Sequence, residues 1–260
     1  MKKHTTLLLI ALAIVYTVSA QNRVSESRQD GLLGPVQSVT SYMYEADKND
    51  NGVMINGAPL EHMETIYARN GQRKSMTFLS TVEDVVFRTR YKHDAFGQTT
   101  LEHVVDNNEH IIGRTYYIYD QNFVLTESYV EDAERQVENR IRYKYSDGKL
   151  SERSYNDPLN NIYRREVYTY NPDGETILKT VVYNRQNKKM QEIRYEYDEN
   201  RQCTSVTRYD YSEQEPEVTI NLYSYQYDDH GNWINRVEYR LESDERIPEY
   251  ITERTITYHE

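Results

Sequence analysis

The sequence predicts an all-β fold, an antiparallel up-and-down meander of about eight hairpin repeats with a period of about 26 residues. Tyrosines recur at a regular interval, each is followed by a turn rich in Asp, Asn and Gly, and apolar and charged residues alternate on either side of the turn. Two strands and two turns fill a unit of this length and leave no room for helices. With 26 Tyr against 4 Phe, tyrosine rings supply most of the apolar contact area.

The first twenty residues differ from the rest of the chain. Lys2 and Lys3 precede an apolar run from Leu7 to Val15, and small residues lead to Ala20. This pattern predicts a secretory signal peptide over residues 1–20, because the run is shorter than the roughly 18 residues that a membrane-spanning helix needs. We therefore expect an exported protein that is periplasmic, cell-surface or secreted. It is not expected to be a lipoprotein, since no Cys follows the cleavage site, or to have a later transmembrane segment.

The remaining chain divides into a polar stretch and a repeat region. Residues 21–33 are mostly polar and predict a flexible leader, and residues 34–260 predict a single hairpin repeat domain. In the first strand, the alternation places Val36, Tyr42 and Tyr44 on one face.

The repeat is marked by one tyrosine in each unit. These residues are Tyr42, Tyr67, Tyr91, Tyr117, Tyr143, Tyr168, Tyr195 and Tyr225. The last copy contains a complete unit, with paired tyrosines, a turn over residues 228–231 and a returning strand. One face of that returning strand is predicted to carry Trp233, Asn235, Val237 and Tyr239.

The two faces of each strand differ in character. Tyr143 and Tyr145 lie on one face, and Arg142 and Lys144 lie on the other. The same alternation sets Tyr91 opposite a row formed by Arg88, Arg90 and Lys92. The charged rows predict a solvated sheet face, with an anion-binding stripe as the alternative. A flat sheet would bury too little apolar surface, so we expect a curled open sheet or an incomplete barrel with the tyrosines on its concave side. The polar first and last strands are expected to be its edges.

The units YIYD, YEYD and YQYDDHG resemble the YD repeat of Rhs-type proteins. The resemblance covers about Tyr42 to Tyr239. The segments GPVQSVTSYMY and YDDHGNWINR look like the ends of small secreted YD-type proteins of Gram-negative bacteria. The resemblance implies a β-hairpin repeat shell. The toxin role of the large Rhs proteins does not carry over, because this chain has far fewer units and no C-terminal cargo domain.

Composition and motifs argue against several classes of function. The net charge of -11 argues against a nucleic-acid partner. Cys203 is the only cysteine, so it forms no intrachain disulfide and is expected to pack in a strand. The seven histidines lie in none of the common metal-binding or nucleophile motifs. We therefore expect no enzymatic activity, no catalytic residue and no cofactor.

One stretch resembles a calcium loop. DKNDNG begins at Asp47 and offers Asp47, Asn49 and Asn51 as oxygen ligands. Position twelve of the loop is Ala58, where a bidentate Glu is needed. An ordinary turn is the favoured interpretation, and no tight metal site is expected.

Aromatic residues in the last hairpin offer a ligand-stacking surface. Trp233, with Tyr225, Tyr227 and Tyr239, has the character of a sugar-binding platform, although packing among the rings is favoured. The sequence thus predicts a non-enzymatic envelope or secreted binding or scaffold protein, whose partner is a protein or glycan of the cell envelope. The alternatives are a glycan-acting envelope enzyme and an inhibitor or immunity-like partner of a secreted protein.

Overall fold

The computed structural model of the chain describes residues 25–49, 53–81, 85–213 and 215–260. The predicted signal peptide and the start of the predicted leader lie outside these ranges. The described part of the chain forms sixteen strands and one short helix, α1 (Glu26–Gln29), and it contains no helix of the length and apolarity needed to cross a membrane. The strands are β1 (Val36–Lys48), β2 (Met54–Tyr67), β3 (Arg73–Ser80), β4 (Val85–His93), β5 (Thr99–Val105), β6 (Ile111–Tyr119), β7 (Leu125–Asp132), β8 (Val137–Ser146), β9 (Lys149–Asn156), β10 (Ile162–Tyr170), β11 (Ile177–Asn184), β12 (Lys189–Tyr197), β13 (Cys203–Asp210), β14 (Glu217–Tyr227), β15 (Trp233–Glu242) and β16 (Glu245–Tyr258).

The strands form a closed antiparallel barrel. Each strand pairs with its neighbours in sequence, and β1 also pairs with β16, where Val39 lies opposite Ile256. The all-β antiparallel meander is therefore confirmed. The predicted open sheet is wrong, because the first and last strands pair with each other instead of forming edges. Hydrogen bonding runs continuously around sixteen strands, so the hairpins are not eight separate repeats.

The two faces of the sheet become the inside and the outside of the barrel. On the inside, half-buried tyrosines pack around the buried residues Leu150, Tyr168 and Ile177. The outside carries charged rows joined across strands, as where Glu152 pairs with Lys144 at 2.8 Å and with Arg165 at 2.9 Å. Exposed pairs of this kind contribute only about 0.2–1 kcal/mol each, so the inner face carries most of the packing energy.

One residue is inserted in the returning strand of each hairpin at the end of the barrel that includes the β6–β7 turn. Here Ile118 lies opposite Glu127, but Tyr119 lies opposite Leu125, so Thr126 is the extra residue. Its hydroxyl donates a hydrogen bond to the Ile118 carbonyl at 3.2 Å. The same register shift occurs in the hairpins β2–β3, β4–β5, β8–β9, β10–β11, β12–β13 and β14–β15. A bulge of this kind bends the strand and increases its twist.

Tyrosine hydroxyls join neighbouring hairpins at these bulges. In three units the second tyrosine donates a hydrogen bond to a backbone carbonyl at the start of the preceding strand, in its first or second residue. These bonds run from Tyr119 to Thr99 at 2.8 Å, from Tyr170 to Leu150 at 2.9 Å and from Tyr197 to Ile177 at 3.0 Å. The ring is thereby packed on the inner face while its hydroxyl is satisfied.

The aspartate that follows the paired tyrosines closes the turn. The Oδ1 atom of Asp120 accepts hydrogen bonds from the backbone N–H groups of Asn122 at 2.8 Å and Val124 at 2.9 Å. Asp198 and Asp228 make the same pair of bonds in their own turns. The Tyr–Asp unit thus combines an inward-facing ring with an Asx turn.

The first strand departs from the predicted faces. Its register with β16 shifts between Val36 and Ser38, and both Val36 and Val39 are buried. The shift moves Tyr42 to the outer face, where it is 39% exposed and stacks on His62 with ring centroids 4.4 Å apart. The prediction that Val36 and Tyr42 share a face is therefore wrong, because period-two counting does not pass through a bulge.

Residues 25–35, which we call the N-terminal segment, pack on one end of the barrel. Asp30 accepts hydrogen bonds from the Tyr67 hydroxyl at 2.6 Å and from Nε of Arg73 at 2.8 Å. Leu32 is only 3% exposed and packs with Val36. The polar composition predicts a flexible leader up to residue 33, whereas the structure places the chain against the barrel from residue 25 onward.

Truncating an inner tyrosine should destabilise the barrel far more than truncating an outer arginine. We expect Tyr143→Ala and Tyr195→Ala to lower the free energy of unfolding by about 2–4 kcal/mol each, because each leaves a cavity in the packed face. Arg142→Ala should change it by less than about 0.5 kcal/mol. Denaturant melts measure all three, and equal losses would contradict the assignment of the faces.

Removing a single tyrosine hydroxyl tests the bond at the bulge. Tyr197→Phe keeps the ring but leaves the Ile177 carbonyl without this donor, so we expect a loss of about 1 kcal/mol. Tyr163→Phe is the matched control, because Tyr163 is 42% exposed on β10. Chemical denaturation of the two variants should separate them. A loss at Tyr163 as large as that at Tyr197 would mean that the bond contributes nothing specific.

Candidate functional site

The predicted ligand-stacking residues do not form one surface. Trp233 pairs with Tyr227 after the bulge and joins Tyr225 and Tyr227 on the inner face. Tyr239 pairs with Leu222 and lies on the opposite face. The prediction that Trp233 and Tyr239 share a face is wrong, because the inserted Ile234 changes the alternation.

The Trp233 ring is already engaged within the protein. The guanidinium carbon of Arg254 lies 3.2 Å from its centroid, and that of Arg236 lies 5.4 Å away. The Tyr225 ring packs against it at a tilt, with centroids 6.0 Å apart. Arginine stacked on an indole contributes about 0.5–2 kcal/mol. These contacts agree with the packing interpretation and give Trp233 a part in joining β14, β15 and β16.

The described part of the calcium-like stretch lies at the end of β1 (Val36–Lys48). Asp47 accepts a hydrogen bond through Oδ1 from the Lys48 N–H at 2.7 Å, and Asn49 accepts one from the Val53 N–H at 2.9 Å. Asn51 lies outside the described residues. Within the ranges that the structure covers, no group of three or more His, Cys, Asp or Glu side chains is placed to hold a metal ion.

Cys203 lies at the start of β13. Its thiol donates a hydrogen bond to the Ser205 carbonyl at 3.4 Å. Burial raises the pKa of the Cys203 thiol to about 11, so the reactive thiolate is scarce at neutral pH. The position fits the predicted role in strand packing.

A cluster of charged side chains joins the N-terminal segment to the inner wall. Glu26 accepts hydrogen bonds from the Arg73 backbone N–H at 2.5 Å and from the Thr99 hydroxyl, and it lies 2.9 Å from Nε2 of His93. Glu102 accepts a hydrogen bond from the Tyr117 hydroxyl at 2.7 Å. Both carboxylates are therefore engaged within the fold.

Glu102 differs from an ordinary surface carboxylate. Burial raises the pKa of Glu102, and nearby Glu26 adds to the rise, while the Tyr117 hydrogen bond and the charge of Arg73 oppose it. Ionised Glu102 is thus costly inside the barrel.

A basic groove crosses the outer face of β2 to β5. Its volume is about 710 Å³. We define the basic groove by six of its lining residues, which are Glu64, Lys74, Arg88, Arg90, Lys92 and His103. Four cations therefore face one carboxylate. Ser75 and Thr77 lie between the long side chains, opposite Arg90 and Arg88 in the strand register.

Cations crowd one another in this groove. Glu109, in the turn between β5 and β6, is shared by Arg88, at 2.8 Å, and by Arg90. Desolvation lowers the pKa of His103, and the charges of Lys92, Arg114 and Arg90 lower it further. A neutral His103 at pH 7 follows, because its pKa falls below the ordinary value of 6.5. The groove is suited to an anionic ligand, which would relieve this repulsion.

Sequence reasoning identified only part of this groove. The alternation of Arg88, Arg90 and Lys92 is visible in the sequence, and the anion-binding stripe was its alternative interpretation. His103 joins the groove, with Arg114 beside it, through the register of three strands, in which Arg90 pairs with His103 and His103 pairs with Arg114. Alternation within one strand does not reveal that pairing.

The fold and the groove together define a sixteen-stranded antiparallel barrel with a tyrosine-rich inside and a charged outside. No family model matches the sequence, and no curated protein matches it. A porin-like protein from Bacteroides uniformis is similar in structure, with a TM-score of 0.56 and 10% identity over 87% of this chain and 99% of that chain. At this identity the likeness shows the fold alone. A porin-like protein from Bacteroides vulgatus, with 10% identity over 86% of this chain and 98% of that chain, has a TM-score of 0.33.

Replacing Glu102 by Gln should stabilise the protein at neutral pH. The raised pKa means that ionised Glu102 opposes folding above the ordinary value of 4.5, whereas the protonated acid does not. Gln keeps an acceptor for Tyr117 without the charge. We expect the denaturation midpoint of Glu102→Gln to exceed that of the parent at pH 7, and the gain to vanish as the pH falls below 4.5.

The matched control is Glu138→Gln on the exposed face of β8. It should produce no comparable gain at pH 7. A Glu102→Gln variant that is less stable than the parent at pH 7 would show that the ionised carboxylate stabilises the cluster.

Proposed function

We propose that the chain is a non-enzymatic binding protein of the cell envelope and that it binds an anionic ligand in the basic groove. The observation that carries this proposal is the convergence of Lys74, Arg88, Arg90 and Lys92 around one groove. The chain as a whole has a net charge of -11, so the groove is a local reversal of sign. The predicted signal peptide supports export. The charged outer wall supports a binding surface that faces water.

The overall acidity does not cancel the local field. At physiological ionic strength the Debye length is about 8 Å, so distant carboxylates are screened from a ligand in the groove. Arg88, Arg90 and Lys92 alternate along β4 and are spaced by about 7 Å, or two residue rises. A ligand with several anionic groups fits this spacing better than a single small anion does.

We also propose a relationship to the YD-repeat family. It is supported by the way Asp120, Asp198 and Asp228 each cap a turn after a paired tyrosine. The Tyr–Asp unit then has a structural role in the turn. The proposed relationship to the family does not indicate which ligand the groove binds.

The groove can be tested with a small soluble polyanion. Inositol hexasulfate suits the test because its charge does not change between pH 5 and pH 7. We expect calorimetry to detect binding, and Arg90→Gln combined with Lys92→Gln to weaken it at least about tenfold, which corresponds to about 1.4 kcal/mol. Acidification should strengthen binding by the parent, because protonated His103 adds a cation, and His103→Gln should remove this pH dependence.

The control is Arg142→Gln combined with Lys144→Gln, which removes two outer cations from β8. This variant should bind as the parent does. Equal weakening by the two double variants would show a diffuse charge effect, and the proposed site would be wrong.

A further inference from the structure

Two aromatic side chains project from neighbouring turns at one end of the barrel. Phe96 lies in the β4–β5 turn and Phe123 in the β6–β7 turn, and they are 54% and 40% exposed. Their rings contact each other with centroids 4.8 Å apart and an interplanar angle of 57°. They account for two of the 4 phenylalanines in a chain that otherwise uses tyrosine.

Phe123 also occupies an unfavourable backbone position. Its φ is 63°, in the left-handed region, where the matching position of other turns holds a glycine such as Gly97 or a polar residue such as Glu109 or Arg201. A bulky side chain rarely adopts this conformation, whereas glycine does so without strain. Phe123 differs from these residues because it places an exposed apolar ring on such a backbone. Such a combination points to a role in binding.

The two rings lie at the same end of the barrel as part of the basic groove. Lys92 is the second-last residue of β4 and therefore comes shortly before the turn that carries Phe96. Lys74 is the inserted residue of the β2–β3 bulge at the same end. Apolar tips therefore lie beside a row of cations. A soluble anion would use the cations and leave the rings in water, whereas an anionic lipid surface engages both.

We propose that Phe96 and Phe123, together with the basic groove, dock this end of the barrel onto an anionic phospholipid surface. The rings enter the boundary between headgroups and acyl chains, and Lys74, Arg90 and Lys92 lie against the anionic headgroups. This inference rests on the proposed function, since it names the ligand of the same groove. The surface of the bilayer is the occupant, and the barrel stays outside it.

Vesicle sedimentation tests the proposal on the chain from residue 21 onward, which lacks the apolar run of the predicted signal peptide. The vesicles contain phosphatidylcholine with about one-third phosphatidylglycerol, and vesicles of phosphatidylcholine alone are the comparison. We expect binding to the anionic vesicles that weakens steeply with added salt. Phe123→Gly should reduce it at least about fivefold while raising the thermal unfolding midpoint, because glycine relieves the strained φ.

Leu159→Ser provides the matched control. Leu159 is 82% exposed in the β9–β10 turn at the opposite end of the barrel, so its loss should leave vesicle binding unchanged. Because Phe123→Gly is expected to be more stable than the parent, unfolding would not explain its loss of binding. Unchanged vesicle binding by Phe123→Gly would overturn the proposal.

The soluble polyanion separates this inference from the proposed function. Binding of inositol hexasulfate without binding of anionic vesicles would overturn the lipid inference and leave the groove as an anion site. Failure to bind either would overturn both. Equal binding to anionic and neutral vesicles would also contradict the proposal, since the cations would then take no part.

Discussion

The hydrogen bond from a tyrosine hydroxyl to a carbonyl at the neighbouring bulge reconciles two needs of this barrel. The chain is poor in aliphatic residues, so tyrosine rings must fill its inner face. Each buried hydroxyl must then find a partner, because an unsatisfied polar group costs about 1–3 kcal/mol. The bulge places the Ile177 carbonyl within 3.0 Å of the Tyr197 hydroxyl, and the repeat reproduces this geometry in neighbouring hairpins. Packing and polar satisfaction therefore depend on the same inserted residue.

Closure of the barrel uses the same unit. The β14–β15 turn holds both the N-terminal segment and β16. Asn232 in this turn accepts a hydrogen bond from the Leu33 N–H at 2.6 Å and donates one to the Leu33 carbonyl at 2.9 Å. The Tyr258 hydroxyl donates to Asp228. The turn-capping aspartate of the final repeat thus fixes β16 beside the N-terminal segment. The seam uses the same kind of turn-capping aspartate as the β6–β7 and β12–β13 turns, together with the pairing of β1 and β16.

The sequence predicted what is local and repeated. Regular tyrosines and turn-forming aspartates were sufficient to predict the antiparallel hairpins, and alternation identified the rows such as Arg88, Arg90 and Lys92. Features that depend on register were not predictable from it. Trp233 and Tyr239 separate because one residue is inserted between them. The groove requires four strands, β2 to β5, to be aligned. Closure was missed because two polar strands have the composition of edges even when they pair with each other.

Charged residues are arranged differently in the basic groove and on the rest of the outer face of the barrel. Outer charges on β7 to β12 pair across strands, as Arg140 does with Glu127 at 2.8 Å, so they largely neutralise one another. In the basic groove, Arg88 and Arg90 share a single carboxylate, Glu109. Desolvation lowers the pKa of His103 there, and the charges of Lys92, Arg114 and Arg90 lower it further. Phe123 adds backbone strain close to the same end. The region therefore combines an excess of cations with a bulky side chain in the left-handed backbone region, a conformation that other turns give to glycine or to a polar residue. Repulsion between like charges and a bulky side chain in this conformation both oppose stability, so their coincidence in one region is better explained by an external partner than by folding.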